Sequence, residues 1–594
     1  MRILILEDNR PVQRLLQSRL EAAGHQVEAV SNGHQGFQLA TSSAYDVIIS
    51  DIQMPHWDGF KFIDAMAVIC PQLPIIITTA ALEDGEVAAR LEACSNVVCV
   101  FGKPVDFEGL FARLASIIPQ SHTSINKMAR IVCTIGPACD TPETLGKMIL
   151  AGMDVARLNF SHGSYEQHEQ SLCAVREAEQ VWDKPIAVLQ DLSGPKIRTG
   201  AMENGAIRLK TGQTITIQSD PVQGSSQRFS TSMPGVVADL RAGDQILLDD
   251  GLLELHVLED SGEEVLCEVV VGGILQSNKG INLPSTDLSL PSVTAKDWQD
   301  LDWGLEHSVD YVALSFVRTA EEVAAVRDHI HRAGKRNIKV IAKIERPEAV
   351  QNIREIIEVA DGIMIARGDM GVELPVAKVP RIQERIIRLC WEQNVPVITA
   401  TQMLDSMTTH ARPTRAEVTD VSMAIKEGTD AVMLSQETAT GVDPVNVVRT
   451  MAAIICEEER YTSSSAAHFQ QLVSDSSLNP ALAAAASLIN ISATLLLDPG
   501  GVMYPSLSKW NRKVPALLVT RSIHVARHSS LYNNLFPLII REELRRDEMV
   551  QRSIDLAKEW GYLRTGDMIG VLEGSRLTSS GFQQLGAVQV VRVD

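Results

Sequence analysis

Ten polar side chains in the middle of the chain each stand at the end of a short apolar run. They are Arg157, Asn159, Ser161, Asp191, Lys343, Glu345, Arg367, Asp369, Thr401 and Ser435. The carboxylates of Glu345 and Asp369 supply the hard oxygen ligands that Mg²⁺ prefers. Arg157, Arg198 and Lys343 would surround a transferring phosphoryl group with positive charge, and such a transfer depends mainly on positioning and charge stabilisation.

Any one of these residues, taken singly, is more simply explained as a strand cap. The hydroxyls of Thr401 and Ser435 can in addition relay a proton. In a parallel barrel the stabilising polar groups lie at the other face, whereas functional groups gather at the C-terminal ends of the strands. Ten polar residues at one set of strand ends therefore indicate a site for phosphoryl transfer.

A second set of reactive side chains lies near the N-terminus. Glu7 and Asp8 follow the apolar run RILIL, Asp51 follows DVIIS, Thr79 follows PIIIT, and Lys103 begins a Lys-Pro pair. Ligands bind outside the carboxyl ends of parallel strands, so these five residues should meet at one edge of a sheet. Three carboxylates there can hold Mg²⁺, and Asp51 is the predicted acceptor of a phosphoryl group.

The apolar runs that carry the first set predict a TIM barrel. There are eight: IVCTIGP, DVARLNFSHG, IAVLQDLSG, DYVALSF, KVIAKIE, GIMIARGD, PVITATQ and AVMLSQET. Helical spacers of ordinary length separate all but one neighbouring pair, as a (β/α)₈ barrel requires. The one long gap, residues 200–286, contains alternating, Gly-rich segments such as AIRLKTGQTITIQ and predicts a small inserted β-barrel that can act as a lid.

Two further α/β domains flank the barrel, which is assigned to residues 128–199 and 287–455. Residues 1–118 alternate apolar runs with helical patterns such as VQRLLQSRLEAAG, which predicts a doubly wound, flavodoxin-like sheet. The polar stretch 119–127 is a predicted linker. Residues 456–594 carry an Ala-rich helical pattern, NPALAAAASLINISATLLL, before the strand-like runs PALLVT, FPLII, DMIGVLE and AVQVVRV, and they predict a C-terminal α/β domain.

The composition restricts the class of protein and its partners. The chain has 594 residues, of which 45% are hydrophobic, and this indicates several globular domains. A formal net charge of -20 opposes binding to a phosphate backbone, so no nucleic-acid partner is expected. No run approaches the roughly 20 apolar residues of a membrane span, and acidic residues follow the first strand too soon for a signal peptide. We therefore expect a cytoplasmic protein, whose nine cysteines are buried small hydrophobes.

Six motifs closely resemble pyruvate kinase, in order, across residues 128–594. They are ARLNFSHG, DLSGPKIRTG, IAKIERPEAV, ARGDMGVELP, TATQMLDSM and MLSQETATG. The resemblance implies a bacterial glycolytic enzyme that transfers phosphate from phosphoenolpyruvate to ADP, giving pyruvate and ATP. It also implies a homotetramer.

The resemblance assigns roles to single residues. The implied substrate-binding residues are Arg157, Arg198, Lys343, Gly368, Asp369 and Thr401, the implied nucleotide-side residues are Asn159, His162 and Lys279, and the implied Mg²⁺ ligands are Glu345 and Asp369. Lys343 would stabilise the transition state, while Thr401 and Ser435 occupy the positions from which the family protonates the enolate. The lid motif DDG, residues 249–251, also fits the family, and closure of the lid would exclude water.

The chain departs from the family beside the phosphate. Many pyruvate kinases bind K⁺ there, and the resemblance places Asn159, Ser161, Asp191 and Leu192 at the positions of its ligands. This chain has Lys196 where Glu is common, and Leu192 where Thr is common. A lysine ammonium can supply the unit charge of the missing ion. We therefore predict that Lys196 takes part in catalysis and that K⁺ is not required.

Two other segments also differ from the family pattern. Gln436 replaces a typical Gly and Thr440 replaces a typical Lys, which predicts an altered preference or affinity for the nucleotide. The segment LDPGGVMYPSLSKW lacks the hydroxyl-rich loop with which family members bind sugar phosphates. Gly500 and Gly501 within it are better explained by a turn than by an anion-binding nest.

The N-terminal pattern, which includes DIQMPHWDG, resembles response-regulator receivers. The resemblance implies Mg²⁺ ligands at Glu7, Asp8, Asp51 and Gln53, and contacts of Thr79 and Lys103 with the new phosphate. Asp51 would take that phosphate from a sensor histidine kinase or a small phosphodonor. Val100 stands where an aromatic switch residue is common, with Phe101 beside it, so we expect the signal to use a different surface.

Two other classes of function remain open at this point. A phospho-responsive scaffold with an inactive barrel is suggested by Gln436 and Thr440, but the intact set of Lys343, Glu345 and Asp369 opposes it. A lyase that uses phosphoenolpyruvate or pyruvate would share the metal carboxylates. The inserted lid and the segment around Arg198 disfavour the lyase.

Overall fold

The computed structural model describes most of the chain. The described residues are 1–43, 45–82, 84–115, 117, 127–286, 288–462, 491–498, 501, 504–505, 514–560, 562–573, 577–578, 581–582 and 587–593. The predicted linker 119–127 lies outside them except for Lys127, and so does Gly500. Among the helices of the described part, none has the length and apolar character needed to cross a membrane.

The N-terminal domain is a five-stranded parallel sheet between helices. Its strands are β1 (Arg2–Leu6), β2 (Gln26–Val30), β3 (Val47–Asp51), β4 (Ile75–Thr79) and β5 (Val97–Gly102), and its helices are α1 (Arg10–Ala22), α2 (Gly33–Ser42), α3 (Gly59–Ile69), α4 (Gly85–Glu92) and α5 (Phe107–Ala115). The strand order is β2-β1-β3-β4-β5. All residues of β3 and β4 are buried, because helices cover both faces of a doubly wound parallel sheet. The first and third strands lie side by side, so their carboxyl ends share one edge.

The central domain is a closed barrel. Its strands are β6 (Arg130–Thr134), β7 (Val155–Asn159), β8 (Ala187–Asp191), β17 (Tyr311–Leu314), β18 (Lys339–Ile344), β19 (Gly362–Ala366), β20 (Val397–Ala400) and β21 (Ala431–Leu434), with β9 to β16 in the insertion described below. Its helices are α6 (Pro142–Ala151), α7 (Tyr165–Trp182), α9 (Ala295–Glu306), α10 (Ala320–Arg332), α11 (Pro347–Gln351), α12 (Ile353–Val359), α13 (Arg367–Glu373), α14 (Val379–Glu392), α15 (Arg415–Glu427), α16 (Gln436–Ala439) and α17 (Pro444–Thr462). Parallel pairing runs from β6 through β8 to β17 and on to β21, which closes against β6. Parallel closure points all eight carboxyl ends to one mouth.

The insertion is an antiparallel lid domain with its own core. It contains β9 (Ala206–Leu209), β10 (Thr214–Gln218), β11 (Arg228–Ser230), α8 (Gly235–Asp239), β12 (Gln245–Leu248), β13 (Leu253–Asp260), β14 (Glu264–Val271), β15 (Gly273–Gln276) and β16 (Ile281–Asn282). A six-stranded sheet has the order β11-β10-β14-β13-β12-β16, and β15 pairs with β9. Burial alternates along β9 and β14, which explains the period-two pattern of the sequence.

The C-terminal domain is a mixed five-stranded sheet. Its elements are β22 (Ala493–Leu497), β23 (Ala516–Thr520), α18 (Ile523–Ser529), β24 (Leu535–Ile539), α19 (Arg546–Glu559), β25 (Met568–Glu573), β26 (Leu577–Thr578), β27 (Gly581–Phe582) and β28 (Ala587–Arg592). The order is β24-β23-β22-β25-β28, and β28 is antiparallel to β25. The architecture predicted from the sequence, an α/β domain, a barrel with an inserted β-domain and a second α/β domain, is confirmed.

One element prediction is wrong. The Ala-rich pattern predicted a helix that runs through residue 497, but Ala493–Leu497 form β22 in the middle of the sheet, with all five residues buried. A continuous apolar run fits a strand covered on both faces as well as it fits a buried helix, so periodicity does not separate the two. Residues 479–490 of that pattern lie outside the described residues.

Candidate active site

The barrel mouth brings together most of the side chains singled out from the sequence. One cavity is lined by Arg157, Asn159, Ser161, Lys196, Ser315, Phe316, Lys343, Glu345, Met364, Ala366, Asp369, Thr401, Met433 and Ser435. These residues follow or end β7, β17, β18, β19, β20 and β21, and Lys196 reaches in from the segment after β8. Convergence from seven strand ends makes a compact polar site.

Ion pairs connect the basic and acidic groups of this cavity. Arg157 Nε donates to Asp191 Oδ2 at 2.6 Å. Lys343 Nζ lies 3.3 Å from Asp191 Oδ1 and 3.0 Å from Glu345 Oε1, and it donates to Ser315 Oγ at 2.7 Å. The five side chains therefore form one network.

Ion pairs within this network keep the Lys343 ammonium and the Asp191 carboxylate charged despite their burial. Burial by itself lowers the pKa of Lys343, but Asp191 and Glu345 outweigh it and leave the pKa above its ordinary value. Burial by itself raises the pKa of Asp191, but Lys343 and Arg157 leave it lowered. Lys343 therefore stays a cation at neutral pH, as stabilisation of phosphoryl charge requires.

Two carboxylates in the mouth fit a divalent cation. Burial raises the pKa of Glu345, and the charge of Asp369 raises it further, while Lys343 opposes both. Glu345 Oε2 accepts a hydrogen bond from Phe316 N at 2.8 Å, which fixes the carboxylate. Two acids that repel each other in a polar cavity are the oxygen donors that Mg²⁺ takes, usually together with water.

The loop after β20 is held in an unusual backbone conformation. Thr401 and Gln402 both have positive φ, at 70° and 54°. Thr401 Oγ1 accepts from Gly368 N at 2.7 Å, which ties this loop to the first turn of α13 beside Asp369. Non-glycine residues with positive φ cost energy and tend to occur at functional sites.

The structure does not bring Arg367 into the cavity. Its guanidinium donates to Asp420 Oδ1 at 2.6 Å and to the backbone oxygen of Thr401 at 2.9 Å. Arg367 therefore braces the loop after β20 from behind. Thr440 also lies away from the mouth, with its hydroxyl donating to Gln436 O at 3.3 Å.

A second, wider cleft lies between the barrel mouth and the lid. Its walls include His162, Lys196, Arg198, Asp249, Asp250, Lys279, Asp369 and Gln436. Lys279 Nζ lies 2.9 Å from Asp249 Oδ1, and Arg198 donates to the Asn278 backbone oxygen at 3.0 Å. Arg198, His162 and Lys279 thus face the lid side, while Lys196 and Asp369 line both cavities.

The residues that the resemblance places at the K⁺ positions make internal contacts. Asn159 Oδ1 accepts from Ser161 N at 3.2 Å, and Ser161 Oγ donates to Ser193 Oγ at 3.3 Å. The Leu192 side chain is buried, and its backbone oxygen accepts from Ser315 Oγ at 2.7 Å. Leu192 therefore presents no side-chain oxygen to a cation.

The acidic edge of the N-terminal domain is a second candidate site. Ligand atoms of Glu7, Asp8 and Asp51 all lie within 4.8 Å of one another, which is the spacing of a metal-binding cluster. Lys103 Nζ lies 2.7 Å from Glu7 Oε2 and 2.6 Å from Asp51 Oδ2. Burial raises the pKa of Glu7, and Lys103 opposes the shift.

The remaining members of the N-terminal set lie beside Asp51. Gln53 N donates to Asp51 Oδ1 at 3.3 Å. Thr79 ends β4 next to β3, and its hydroxyl accepts from Ala81 N at 3.0 Å. The edge therefore joins a nucleophilic carboxylate, two further acids, one lysine and one hydroxyl, which is suited to accepting a phosphoryl group.

Comparison with known proteins shows the family of the chain. Residues 126–448 match the barrel domain of pyruvate kinase, and residues 477–588 match the pyruvate kinase alpha/beta domain. Pyruvate kinases of two Staphylococcus aureus strains, MRSA252 and USA300, are 39% identical to this chain over 477 residues, which cover 78% of this chain and 80% of each relative. The chain belongs to the pyruvate kinase family.

A solved structure and a further match complete the assignment. The crystal structure of a pyruvate kinase from Cryptosporidium parvum superimposes with a TM-score of 0.74 at 32% identity, over 79% of this chain and 96% of that one. Residues 3–115 match the response regulator receiver domain. The N-terminal domain is therefore a receiver domain joined to a pyruvate kinase body.

Sequence reasoning missed one residue of the pyruvate kinase site. Ser315 is buried; its hydroxyl accepts a hydrogen bond from the Lys343 ammonium and donates one to the Leu192 backbone oxygen. A signal was present, since Ser315 is the polar residue that ends the run DYVALSF. Its position directly after β17 is the same as that of the residues selected on the other strands.

Proposed function

We propose that this protein transfers the phosphoryl group of phosphoenolpyruvate to ADP and releases pyruvate and ATP. The observation that carries the proposal is the network of Arg157, Asp191, Lys343 and Glu345 beside Asp369 in the barrel mouth. It offers two fixed cations to a phosphate, and the carboxylates of Glu345 and Asp369 would hold a Mg²⁺ ion that would neutralise charge on the substrate.

The residues divide the work of the transfer. A phosphate oxygen of ADP attacks phosphorus, and the bond from phosphorus to the enol oxygen breaks. Lys343 and Arg157 neutralise charge on the moving group from the barrel side, and Arg198 does so from the lid side. Gly368, Asp369 and Thr401 hold the substrate at the start of α13.

The enolate that remains must take a proton on carbon. Thr401 and Ser435 line the same cavity as Lys343, and their hydroxyls can pass a proton from water to the substrate. His162 and Lys279 line the wider cleft, and Asn159 lines the barrel mouth; from these positions the three would contact the nucleotide. Closure of the lid over this cleft would exclude water from the phosphoryl group.

We also propose that turnover does not require K⁺. Burial lowers the pKa of Lys196, and the nearby Lys343 lowers it further, while Asp369 and Asp191 oppose the shift. A half-buried ammonium near these carboxylates supplies a fixed unit charge at the position where the family binds the ion. Asn159, Ser161 and Asp191 then have no role in holding K⁺.

The receiver domain adds a regulatory input to the proposal. Asp51 accepts a phosphoryl group from a sensor histidine kinase or a small phosphodonor, with Mg²⁺ held by Glu7, Asp8, Asp51 and the carbonyl of Gln53. Thr79 and Lys103 then contact the new phosphate. The added charge shifts the kinase body between two states of different activity.

The proposed activity is tested on the full-length chain. Pyruvate formation from phosphoenolpyruvate, ADP and Mg²⁺ is expected, and Lys343→Met should lower kcat by about a thousandfold or more, because the transition-state charge loses its buried cation. Lys335→Met, at a half-buried lysine after α10 that lines neither cavity, is the matched control. Full turnover by the Lys343→Met variant would contradict the mechanism, and a folded wild-type chain without turnover would favour the scaffold.

A further inference from the structure

The receiver domain packs on the kinase body through one aromatic face. Trp57, in the loop between β3 and α3, is almost fully buried. Its ring centroid lies 5.0 Å from that of His34, 5.3 Å from that of Phe37 and 5.5 Å from that of Trp182, the last residue of α7 in the barrel. Lys61 Nζ lies 4.8 Å from the Trp57 ring and 5.5 Å from the Trp182 ring, so one cation spans both domains.

The same face contacts the C-terminal domain. Gln35 Nε2 donates to the Lys558 backbone oxygen at 2.7 Å at the end of α19. The His34 ring lies 5.1 Å from the Trp560 ring. Arg564 forms an ion pair with Glu28 at 3.1 Å. The receiver domain therefore contacts both the barrel and the C-terminal domain of the kinase body.

Helix α3 continues the contact along the barrel. Arg449 of α17 donates to the Val68 backbone oxygen in the last turn of α3, where a cation is favourable. Ile63 and Met66 of α3 belong to the same continuous apolar core as Leu145 and Ile149 of α6. A shared core means that the receiver domain is fixed to the barrel by burial of apolar surface as well as by polar contacts.

Hydrogen bonds within the loop between β3 and α3 connect Trp57 to Asp51. Asp51 Oδ1 accepts from Ile52 N at 2.6 Å, and Gly59 N donates to Ile52 O at 2.7 Å. A Cβ at Gly59 would lie 2.3 Å from the Asp51 backbone oxygen, so the start of α3 is packed directly against the phosphoacceptor. Trp57 O accepts from Gly33 N at 3.0 Å. A change in the bonding of the Asp51 carboxylate thus acts on a backbone segment that ends at Trp57.

On the kinase side, Trp182 leads to the catalytic network. Trp182 ends α7, and β8 begins at Ala187 and ends at Asp191, the partner of Arg157 and Lys343. Glu179 of α7 accepts from Ile186 N at 3.0 Å, which ties the helix to the start of β8. The helix and the start of the strand are therefore directly connected.

We propose that the Trp57 face is the docking surface of the receiver domain for its own kinase body, and that it passes the phosphorylation state of Asp51 through Trp182 to β8. This inference rests on the proposed function for the phosphorylation step, while the docking itself does not. The route differs from one through Val100, and it assigns a role to the WDG segment of the acceptor loop.

Two variants of the full-length chain test the proposal. Trp57→Ala removes the aromatic ring on the receiver side of the interface, and Trp182→Ala removes the barrel ring that it contacts. The controls are Phe111→Ala, which truncates an aromatic residue of α5 that packs on Phe107 within the receiver domain, and Trp298→Ala, which removes a barrel tryptophan that packs on His329. Phosphorylation of Asp51 by acetyl phosphate with Mg²⁺ is followed by intact mass in every case.

Docking is measured by hydrogen exchange of residues 142–151 and 165–182. Trp57→Ala and Trp182→Ala are expected to speed exchange in these helices by about tenfold or more, because local opening loses a large buried contact. The two controls should leave it unchanged. Unchanged exchange in both test variants would overturn the docking surface, and this readout needs no turnover.

Transmission is measured by the KM for phosphoenolpyruvate with and without acetyl phosphate. The wild-type chain is expected to change KM by about fivefold on phosphorylation, and Trp57→Ala should abolish the change while still gaining the phosphoryl group. A Trp57→Ala chain that responds like the wild type would overturn the route, as would a wild-type chain that is phosphorylated without effect. Absence of any pyruvate formation in the untreated chain would instead contradict the proposed function.

Discussion

At the residue scale, Lys196 and Ser315 show how local charge sets the chemistry of the barrel mouth. The Lys343 ammonium is shared by Asp191, Glu345 and Ser315, so its position is fixed from three sides. Lys196 lines the same cavity and the wider cleft under the lid. A further fixed cation in this place is the basis of the proposal that turnover does not require K⁺.

Substitution of Lys196 tests that interpretation. In a Lys196→Glu variant the cavity loses a positive charge and gains a negative one, so we expect turnover in K⁺-free buffer to fall by roughly a hundredfold. Added K⁺ should restore most of it, because the new carboxylate can help to bind the ion. The measurement is kcat with and without KCl at constant ionic strength.

The matched control for this variant is Lys210→Glu, on the exposed surface of the lid. It makes the same change in net charge away from the site and should have no K⁺ dependence. If Lys196→Glu turned over equally well with and without K⁺, Lys196 would not stand in for the ion.

At the scale of elements, helix α13 joins Asp369, a proposed Mg²⁺ ligand, to the lid. Its first turn carries Gly368 and Asp369, and its last residue is Glu373. Glu373 accepts from Asn282 of lid strand β16 at 2.9 Å and from Arg346 after β18 at 3.1 Å. One helix therefore has a substrate-binding end and an end attached to the lid.

The Asn282 contact should matter for the nucleotide. We expect Asn282→Ala to lower kcat/KM for ADP by about fivefold, which corresponds to one hydrogen bond of about 1 kcal/mol, with little change in thermal stability. Ser289→Ala, which removes a hydrogen bond to Asp239 of lid helix α8 away from α13, is the control. Equal kcat/KM values for the two variants would mean that the lid acts independently of α13.

At the scale of the whole molecule, the receiver domain and the kinase body form one packed unit. Residues of α3 and α6 share an apolar core, and His34, Trp57, Trp182 and Trp560 meet at the junction of three domains. The apolar surface buried between the receiver domain and the kinase body contributes to the free energy of unfolding of the whole chain. A change in the protonation of a residue at this junction therefore changes the stability of the whole chain.

His34 gives this junction a pH dependence. Burial, together with the charges of Lys61 and His56, lowers the pKa of His34 from 6.5 to about 4, although a hydrogen bond with the Trp560 backbone opposes the shift. Below pH 6.5 the His34 imidazole takes up a proton in the unfolded chain, whereas in the folded chain it stays neutral until the pH approaches 4. The stabilisation is therefore complete above pH 6.5 and is lost as the pH falls from 6.5 toward 4.

The predicted loss is measurable by urea unfolding, followed by tryptophan fluorescence, at pH 7.5 and pH 5. Between these values the wild-type chain should lose about 2 kcal/mol more of its free energy of unfolding than His34→Phe, at about 1.4 kcal/mol for each pKa unit. His256→Phe, in the exposed part of the lid, should behave like the wild type. A His34→Phe chain with the wild-type pH dependence would show that another group titrates.

The sequence by itself determined the local and periodic features of this protein. Polar residues at the ends of eight apolar runs predicted the barrel and its functional face, because parallel strands in a barrel all end at the same mouth. The acids and the lysine of the receiver domain followed from the same rule for an open parallel sheet. Alternation of apolar and polar residues predicted the β-structure of the lid for the same reason.

Only the tertiary structure decided the features that depend on contacts between distant residues. A polar residue at a strand end does not reveal where its side chain points, so Arg367 looked catalytic and Ser315 did not. Burial on both faces, which only the assembled sheet provides, turned Ala493–Leu497 into a strand. The seat of the receiver domain rests on Trp57, Trp182 and Trp560, which lie in three domains. Apolar contact has no sequence signature across such separations, because it is non-directional and depends only on which surfaces are buried together.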